Sequence, residues 1–337
     1  MDYKVFYLAT FVTATSFSSA EIVVNDYLSL EGFSDMSYSH LEQEFGATKV
    51  SDNSHGIDQV EIDFIFEYGS FTGQIDLECK VTDRYESNNV IEQAFLSYHK
   101  GDSKFTAGRF ASQLGFEAFE PTGLYQYSFA YHLSDGVPLS ALNNINGGVL
   151  PRYDQGVRYT TATATRYFGI ALVESIDPSP ANGSDSQSIE LAGSLFLDHG
   201  FSVFAGARRN NYEAPDSDET ILNAYLTYQT GALVFAAELV SGEREVPGGS
   251  DIETLQALLM ANYSYSDVAS LSGRLSMVDR DIGGISEDFT KYTLAHGYAL
   301  EENLFLVNEL SLVNGQEGGE DYESLAIAAE LIFTFLI

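Results

Sequence analysis

Tryptophan is absent from these 337 residues, cysteine occurs once, and arginine and lysine together number 16 against 49 aspartates and glutamates. Each scarcity excludes something. A single thiol, Cys79, builds neither a disulfide framework nor a cysteine-based zinc site, and it reads as a small apolar residue. A formal net charge of -33 repels a phosphate backbone, so nucleic acid is excluded as a partner. Past residue 20 no apolar run approaches the roughly 18 residues that a membrane-crossing helix needs. The histidines at 40, 55, 99, 132, 199 and 296 are scattered, and neither HExxH nor GxSxG occurs. No catalytic residue, transition-metal site or cofactor is therefore expected. The carboxylate-rich loops DRDIGGISED and EGGEDYE do not match EF-hand spacing and read as solvated surface.

What is present begins with a leader. Lys4 precedes the apolar run VFYLATFVTATSF, and Ser18, Ser19 and Ala20 supply small residues before Glu21. This predicts a secretory signal peptide over residues 1–20, leaving 21–337 as one domain. An exported chain with no spanning helix is either released into water or built as a barrel.

The domain alternates. In FTGQIDLECKV, Phe71, Gly73, Ile75, Leu77, Cys79 and Val81 share one face, while Thr72, Gln74, Asp76, Glu78 and Lys80 share the other. Successive side chains of a strand point to opposite faces, so this segment predicts a sheet with one oily and one wet surface. A soluble sandwich would bury the oily face; a membrane barrel would turn it outward.

The same period recurs in sixteen segments: 26–40, 57–68, 71–82, 89–99, 103–111, 154–163, 165–176, 187–198, 201–211, 219–229, 232–242, 252–265, 268–280, 288–299, 303–314 and 322–337. Tight turns near 69, 101, 164, 200, 231, 266 and 301 alternate with longer polar connections such as SDNSH, DRYESN, DPSPANGSDS, EAPDSD, REVPGGS and NGQEGGED. Short periplasmic turns, longer outer loops and an even strand number are the rhythm of a transmembrane barrel, whereas Greek-key crossovers do not sort their connections this way. Aromatics crowd the short turns, with Tyr68 and Phe71 at the first, Tyr167 and Phe168 at the third, Phe201 at the fourth, and Tyr228, Tyr265 and Tyr298 before later ones. They read as an interfacial girdle, although one without tryptophan. In lipid every backbone group must pair internally, and a closed sheet achieves this with strands. The oily faces are thus expected to meet lipid and the polar faces to line a pore.

The longest connection, residues 112–150, carries aliphatic and aromatic side chains, so it is expected to pack rather than float. It is the third on the long-loop side. Here a resemblance becomes specific. IEQAFLSY (91–98), FTAGRFASQLGFEAFEPTGLYQYSFAY (105–131), DQGVRYTT (154–161) and LSLEGFSDMSYSH (28–40) resemble the putative beta-barrel porin-2 family of Gram-negative bacteria. The last strand, with Leu325, Ile327, Ala329, Leu331, Phe333, Phe335 and Ile337 on one face, resembles the C-terminal signature of outer-membrane proteins but ends in isoleucine instead of an aromatic residue. The resemblance implies an all-β, antiparallel, sixteen-stranded outer-membrane barrel whose third outer loop folds inward, and many porins of this size are homotrimers. It brings no catalytic residues.

The expected pore lining follows from strand parity. Lys80, Arg109, Arg158, Arg208, Arg274 and Lys291 are expected to form a basic wall, although Phe105 and Ala107 leave the facing of the Arg109 strand open; Glu117, Glu120 and Asp135 of the long loop are expected to oppose it, and Asp76 and Glu78 also point inward. Opposed rows of charge set a transverse field across a constriction; the alternative is that interior charges pair off and only hydrate the lumen. Further inward carboxylates at Glu31, Asp35, Glu61, Asp63, Glu190, Glu238, Glu309 and Glu330 outnumber the cations. The expected function is passive diffusion of small hydrophilic solutes or ions through a weakly cation-preferring pore. A substrate-selective channel of the same fold, a secreted or surface β-protein used for adhesion, and a barrel enzyme are the alternatives.

Overall fold

The computed structural model describes residues 22–80, 90–132, 148–175, 186–213 and 216–335. The leader, the loops 81–89 and 176–185, and Asp135 lie outside the described residues. Among the described residues no helix is long and apolar enough to cross a membrane.

Seventeen strands run in chain order: β1 Ile22–Asn25, β2 Leu28–Phe45, β3 Thr48–Tyr68, β4 Phe71–Lys80, β5 Val90–Lys100, β6 Ser103–Ala111, β7 Tyr153–Ala162, β8 Arg166–Ser175, β9 Ser186–Phe196, β10 Phe201–Glu213, β11 Asp216–Thr230, β12 Leu233–Glu245, β13 Ile252–Ser266, β14 Ala269–Ile282, β15 Ile285–Glu301, β16 Leu304–Glu317 and β17 Glu320–Thr334. Each of β2 to β16 pairs antiparallel with the next in sequence, and β17 pairs back onto β2 from Tyr322↔Phe45 to Thr334↔Phe33. The sixteen strands therefore close into a barrel with no free edge. The short β1 continues the β17 position on β2, pairing Ile22 with Leu30, just beyond the backbone bond from Phe335 N to Gly32 O.

The barrel is inside out relative to a soluble protein. Leu77, Leu96, Val157, Leu172, Leu239, Leu255 and Leu294 are exposed on its outer rows, whereas Asp76, Glu190, Arg208, Gln256, Arg274 and Lys291 are buried. On β4, Phe71, Ile75 and Leu77 face out while Asp76 and Glu78 face in. At the short-turn end, cross-strand ring pairs form a belt: Tyr27 with Tyr68 (5.5 Å), Phe71 with Tyr98 (5.1 Å), Phe105 with Tyr159 (4.9 Å) and Phe201 with Tyr228 (4.4 Å). Tyr167 departs from the girdle expectation, pointing inward and almost fully buried, while Phe168 beside it faces out.

Far-end connections differ from the expected long-loop rhythm. SDNSH lies within β3, and the turns at 46–47, 283–284 and 318–319 are two residues long. Gly283 and Gly284 have φ of 60° and 91°, and Gly318 and Gly319 have 58° and 87°. Two successive positive values suit the tight turn that matches strand twist. About nine to eleven residues cross a bilayer, so the 21 residues of β3 extend far beyond it. Outside lipid both faces of a ladder meet water, which removes the apolar signal but not the strand. EAPDSD is likewise mostly strand, since β10 ends at Glu213 and β11 begins at Asp216.

Two ladder irregularities sit away from turns. Asp35↔Gln59 is followed by Met36↔Ile57, leaving Asp58 as the extra residue, and Asp76↔Gln93 is followed by Leu77↔Ile91, leaving Glu92. A bulge re-aims a side chain. Here both bulged residues are acidic, on one side of the barrel.

Candidate functional site

After β6 the chain leaves the wall and crosses the barrel interior. Its backbone donors need partners wherever water is excluded, and inward glutamates of distant strands supply them. Gln113 N donates to Glu190 Oε1 (2.9 Å), Phe116 N to Glu238 Oε1 (2.8 Å) and Ser128 N to Glu309 Oε2 (3.0 Å). Gly115 N donates to Asn223 Oδ1 (3.0 Å), and Tyr131 Oη to Glu238 Oε2 (3.0 Å). Glu190, Glu238 and Glu309, expected as lumen acids, thus hold the crossing segment.

Apolar packing adds to these bonds. Leu114, Phe116, Ala130 and Tyr131 join Phe204, Val240, Leu258 and Phe289 in one buried cluster. Leu114 occupies the space over Gly206, and Val149 that over Gly242; a Cβ on either glycine would press on the loop side chain. Residues 112–132 are therefore seated against the wall from β9 through β16.

Two of the expected basic residues, Arg274 and Lys291, take part in this seating, and two others, Arg158 and Arg208, bind the wall. Arg274 Nη1 bonds Glu117 Oε1 (2.5 Å) and Ser128 O (2.7 Å). Lys291 Nζ donates to Phe129 O (3.1 Å) and His132 O (2.8 Å). Arg158 donates to Ala111 O (2.8 Å) and lies over the Phe110 ring (4.3 Å). Arg208 pairs with Asp154, with Nη2 to Oδ1 at 2.9 Å, and with Glu190 at 3.3 Å. A buried charge is retained only when paired or hydrogen-bonded. Arg109 departs from expectation. Its register partners Ala94 and Gln155 place it on the outward row with Phe105 and Ala107, and Phe110 takes the inward position; its guanidinium reaches the Tyr153 ring at 6.0 Å. Lys80 ends β4, and its side chain lies outside the described residues. Lys104 is an inward cation that strand parity had available in the register Ser97↔Thr106 and His99↔Lys104.

The carboxylates gather elsewhere. Glu61 and Asp63 on β3, Asp76 on β4 and Glu92 on β5 stand together, and Glu120 of the crossing segment joins them. The ligand oxygens of Glu61, Asp63 and Asp76 lie within 4.8 Å of one another, as do those of Glu61, Glu92 and Glu120. Asp76 Oδ2 accepts from Gln74 (3.0 Å) and Gln93 (2.6 Å). Gln59 Nε2 donates to both Glu61 Oε2 (3.0 Å) and Glu120 Oε2 (2.8 Å). Asp35 meets Asp58 and Glu330 in a second group nearby. Burial, reinforced by the charge of Glu61, pushes the Glu120 carboxyl up to about 7. Glu92, Gln59 and Tyr153 were not anticipated. The only sequence signal for Glu92 was the broken alternation in IEQA, which a bulge produces.

The family model described as "Putative beta-barrel porin-2, OmpL-like" matches residues 46–335. No curated protein matches. Among solved structures, the outer membrane channel DcaP of Acinetobacter baumannii superposes with a TM-score of 0.69 at 12% identity, covering 91% of this chain and 97% of that one. An anion-selective porin from Comamonas acidovorans gives 0.67 at 13% identity, covering 91% and 99%. In-vitro folded OmpT of Vibrio cholerae gives 0.65 at 15% identity, covering 94% and 100%. At these identities the likeness is one of fold.

Proposed function

The chain belongs to the putative beta-barrel porin-2 family, and from that premise we propose a water-filled outer-membrane channel for passive diffusion of small hydrophilic solutes and ions, weakly preferring cations. The observation that carries the cation preference is the division of inward charge. Arg274, Lys291, Arg158 and Arg208 bind the crossing segment, backbone carbonyls or wall carboxylates. Glu61, Asp63 and Asp76 stand together as a group of inward carboxyls. A narrow lumen lined by one sign of charge raises the local concentration of the opposite ion. The crossing segment is the constriction in this reading, and residues 1–20 are the cleaved leader. A homotrimer in the outer membrane, in contact with its lipids, is the assembly.

A substrate-selective channel is the second reading, favoured by the fixed seating of Leu114 and Phe116, which gives the lumen a defined shape. Solute titration separates the two, because a binding site blocks current saturably and simple diffusion does not.

The test is single-channel recording of the mature protein in planar bilayers under a potassium chloride gradient. Discrete open steps with a reversal potential of cationic sign are expected. An anionic sign overturns the preference, and insertion without conductance overturns the channel itself.

A further inference from the structure

Hydrogen counting around Tyr153 carries an inference that rests on the channel reading. Tyr153 Oη stands 2.9 Å from Glu92 Oε2 and 2.9 Å from Glu120 Oε1. A phenol has one hydrogen and can donate to one of them. The other contact needs a hydrogen from the carboxyl side, because two bare oxygens at hydrogen-bond distance repel. Gln59 cannot supply it. Its two amide hydrogens already go to Glu61 Oε2 and Glu120 Oε2.

We propose that Glu92, Tyr153 and Glu120 share one carboxylic proton, and that this proton latches the crossing segment to the acidic side of the barrel. The groups facing Glu120 are known from each element around it. Gln59 and Glu61 come from β3, with Asp63 and, on β4, Asp76 behind them; Glu92 comes from β5 and Tyr153 from β7. Arg109 on β6 addresses the ring of Tyr153, which Phe119 covers from the loop side at 5.6 Å. When the proton leaves to lumen water, two carboxylates face each other across a single phenolic hydrogen. Repulsion then acts on Glu120, the one member carried by the loop.

The direction follows from linkage. A detached Glu120 has the ordinary carboxyl value of 4.5, whereas the attached one is raised to about 7. The attached loop thus binds the proton more tightly, so its attachment is fully supported below 4.5 and is lost as pH rises through about 7. The elements opposite differ. Glu238 and Glu309 hold the loop by accepting its backbone N–H bonds, so the release concerns the Glu120 stretch and not the whole segment.

The test is single-channel conductance of the full mature chain between about pH 5 and pH 9 in about 1 M potassium chloride, where a Debye length of about 3 Å suppresses the general field of the lumen acids. A rise in conductance with a midpoint near 7 is expected. Glu120→Gln keeps a donor for Tyr153 and an acceptor for Gln59 without an ionisable group, and should hold the low conductance across the whole range. Glu120→Ala removes the latch and should show the larger conductance throughout. Flat wild-type conductance overturns the latch, as does an unchanged rise in Glu120→Gln. The wild-type titration needs no variant to fold. Failure of the latch is distinguishable from failure of the channel reading, since a pH-independent pore rejects the first and a silent barrel the second.

Discussion

Arg274 on β14 and Glu117 in the crossing segment form an ion pair inside the barrel, Nη1 to Oε1 at 2.5 Å, with the arginine side chain inaccessible to solvent. Glu117 also accepts from Ala130 N (2.7 Å) and Gln126 Nε2 (2.8 Å), so this one carboxylate ties both arms of the segment to the wall. Removing a single partner of a buried pair costs on the order of 3–5 kcal/mol. In Arg274→Met that loss should fall on loop attachment, because the ladders of β14 with β13 and β15 are unaffected. Faster amide exchange over 116–131, with strand amides unchanged, is the expected result. Glu117→Gln added to Arg274→Met should recover part of it; uniform loosening of the strands would assign the pair to the barrel instead.

Gly206 and Leu114 make a second, uncharged fastening. Leu114 is almost fully buried over the glycine, next to the stacked rings of Phe204 and Tyr225 at 4.4 Å. Leu114→Ala leaves a hole and should weaken the seating by about 2–5 kcal/mol. Gly206→Ala adds a methyl into occupied space and should also weaken it. Combined, the two changes offset each other in volume, so the double variant should lie closer to wild type than the sum of the singles. Amide exchange at 113–116 reads the difference, and strict additivity would show that the two do not touch in solution.

The barrel was legible in the sequence because lipid enforces the alternation that reveals it. Sixteen of the strands and all seven short turns follow from period two and its interruptions. Legibility failed where that constraint lapses. SDNSH has no apolar row because β3 has left the bilayer there, and Asp58 and Glu92 are bulged residues that parity counting cannot assign. Arg109 follows Gly108, whose φ of 129° few other residues adopt, and the apolar Phe105 and Ala107 at its own parity left the facing of that strand open in the sequence. Nor could one strand at a time show that Glu190, Glu238 and Glu309 converge on a loop rather than on permeating ions. That is a relation between residues about 80 to 180 positions apart in the chain, of the kind tertiary packing decides.

Leu239 tests which face meets lipid. It lies at the middle of β12, 58% exposed, between the inward Glu238 and Val240. A cationic residue facing lipid at mid-membrane costs about 2–4 kcal/mol, falling toward zero at the interfaces. Leu239→Arg should therefore lower the yield of folding into lipid vesicles, whereas Leu239→Phe should not. Equal yields would mean that this row does not contact hydrocarbon.

The cation preference rests on three carboxylates whose neutral isosteres exist. Glu61→Gln, Asp63→Asn and Asp76→Asn together remove whatever negative charge the group presents to a permeating ion while keeping side-chain size and hydrogen-bonding capacity, so the ladder partners Glu61↔Glu78 and Asp63↔Asp76 remain packed. Like charges in close register repel, and relieving them should leave the barrel at least as stable as wild type. A gain in thermal stability accompanied by a reversal potential moved toward zero is expected, larger at low salt, where screening is weak. A preference that survives the triple substitution would place selectivity elsewhere, with Asp35, Asp58 and Glu330 the next group to neutralise. Loss of stability without a shift would mean that the three acids serve the wall and not the permeating ion.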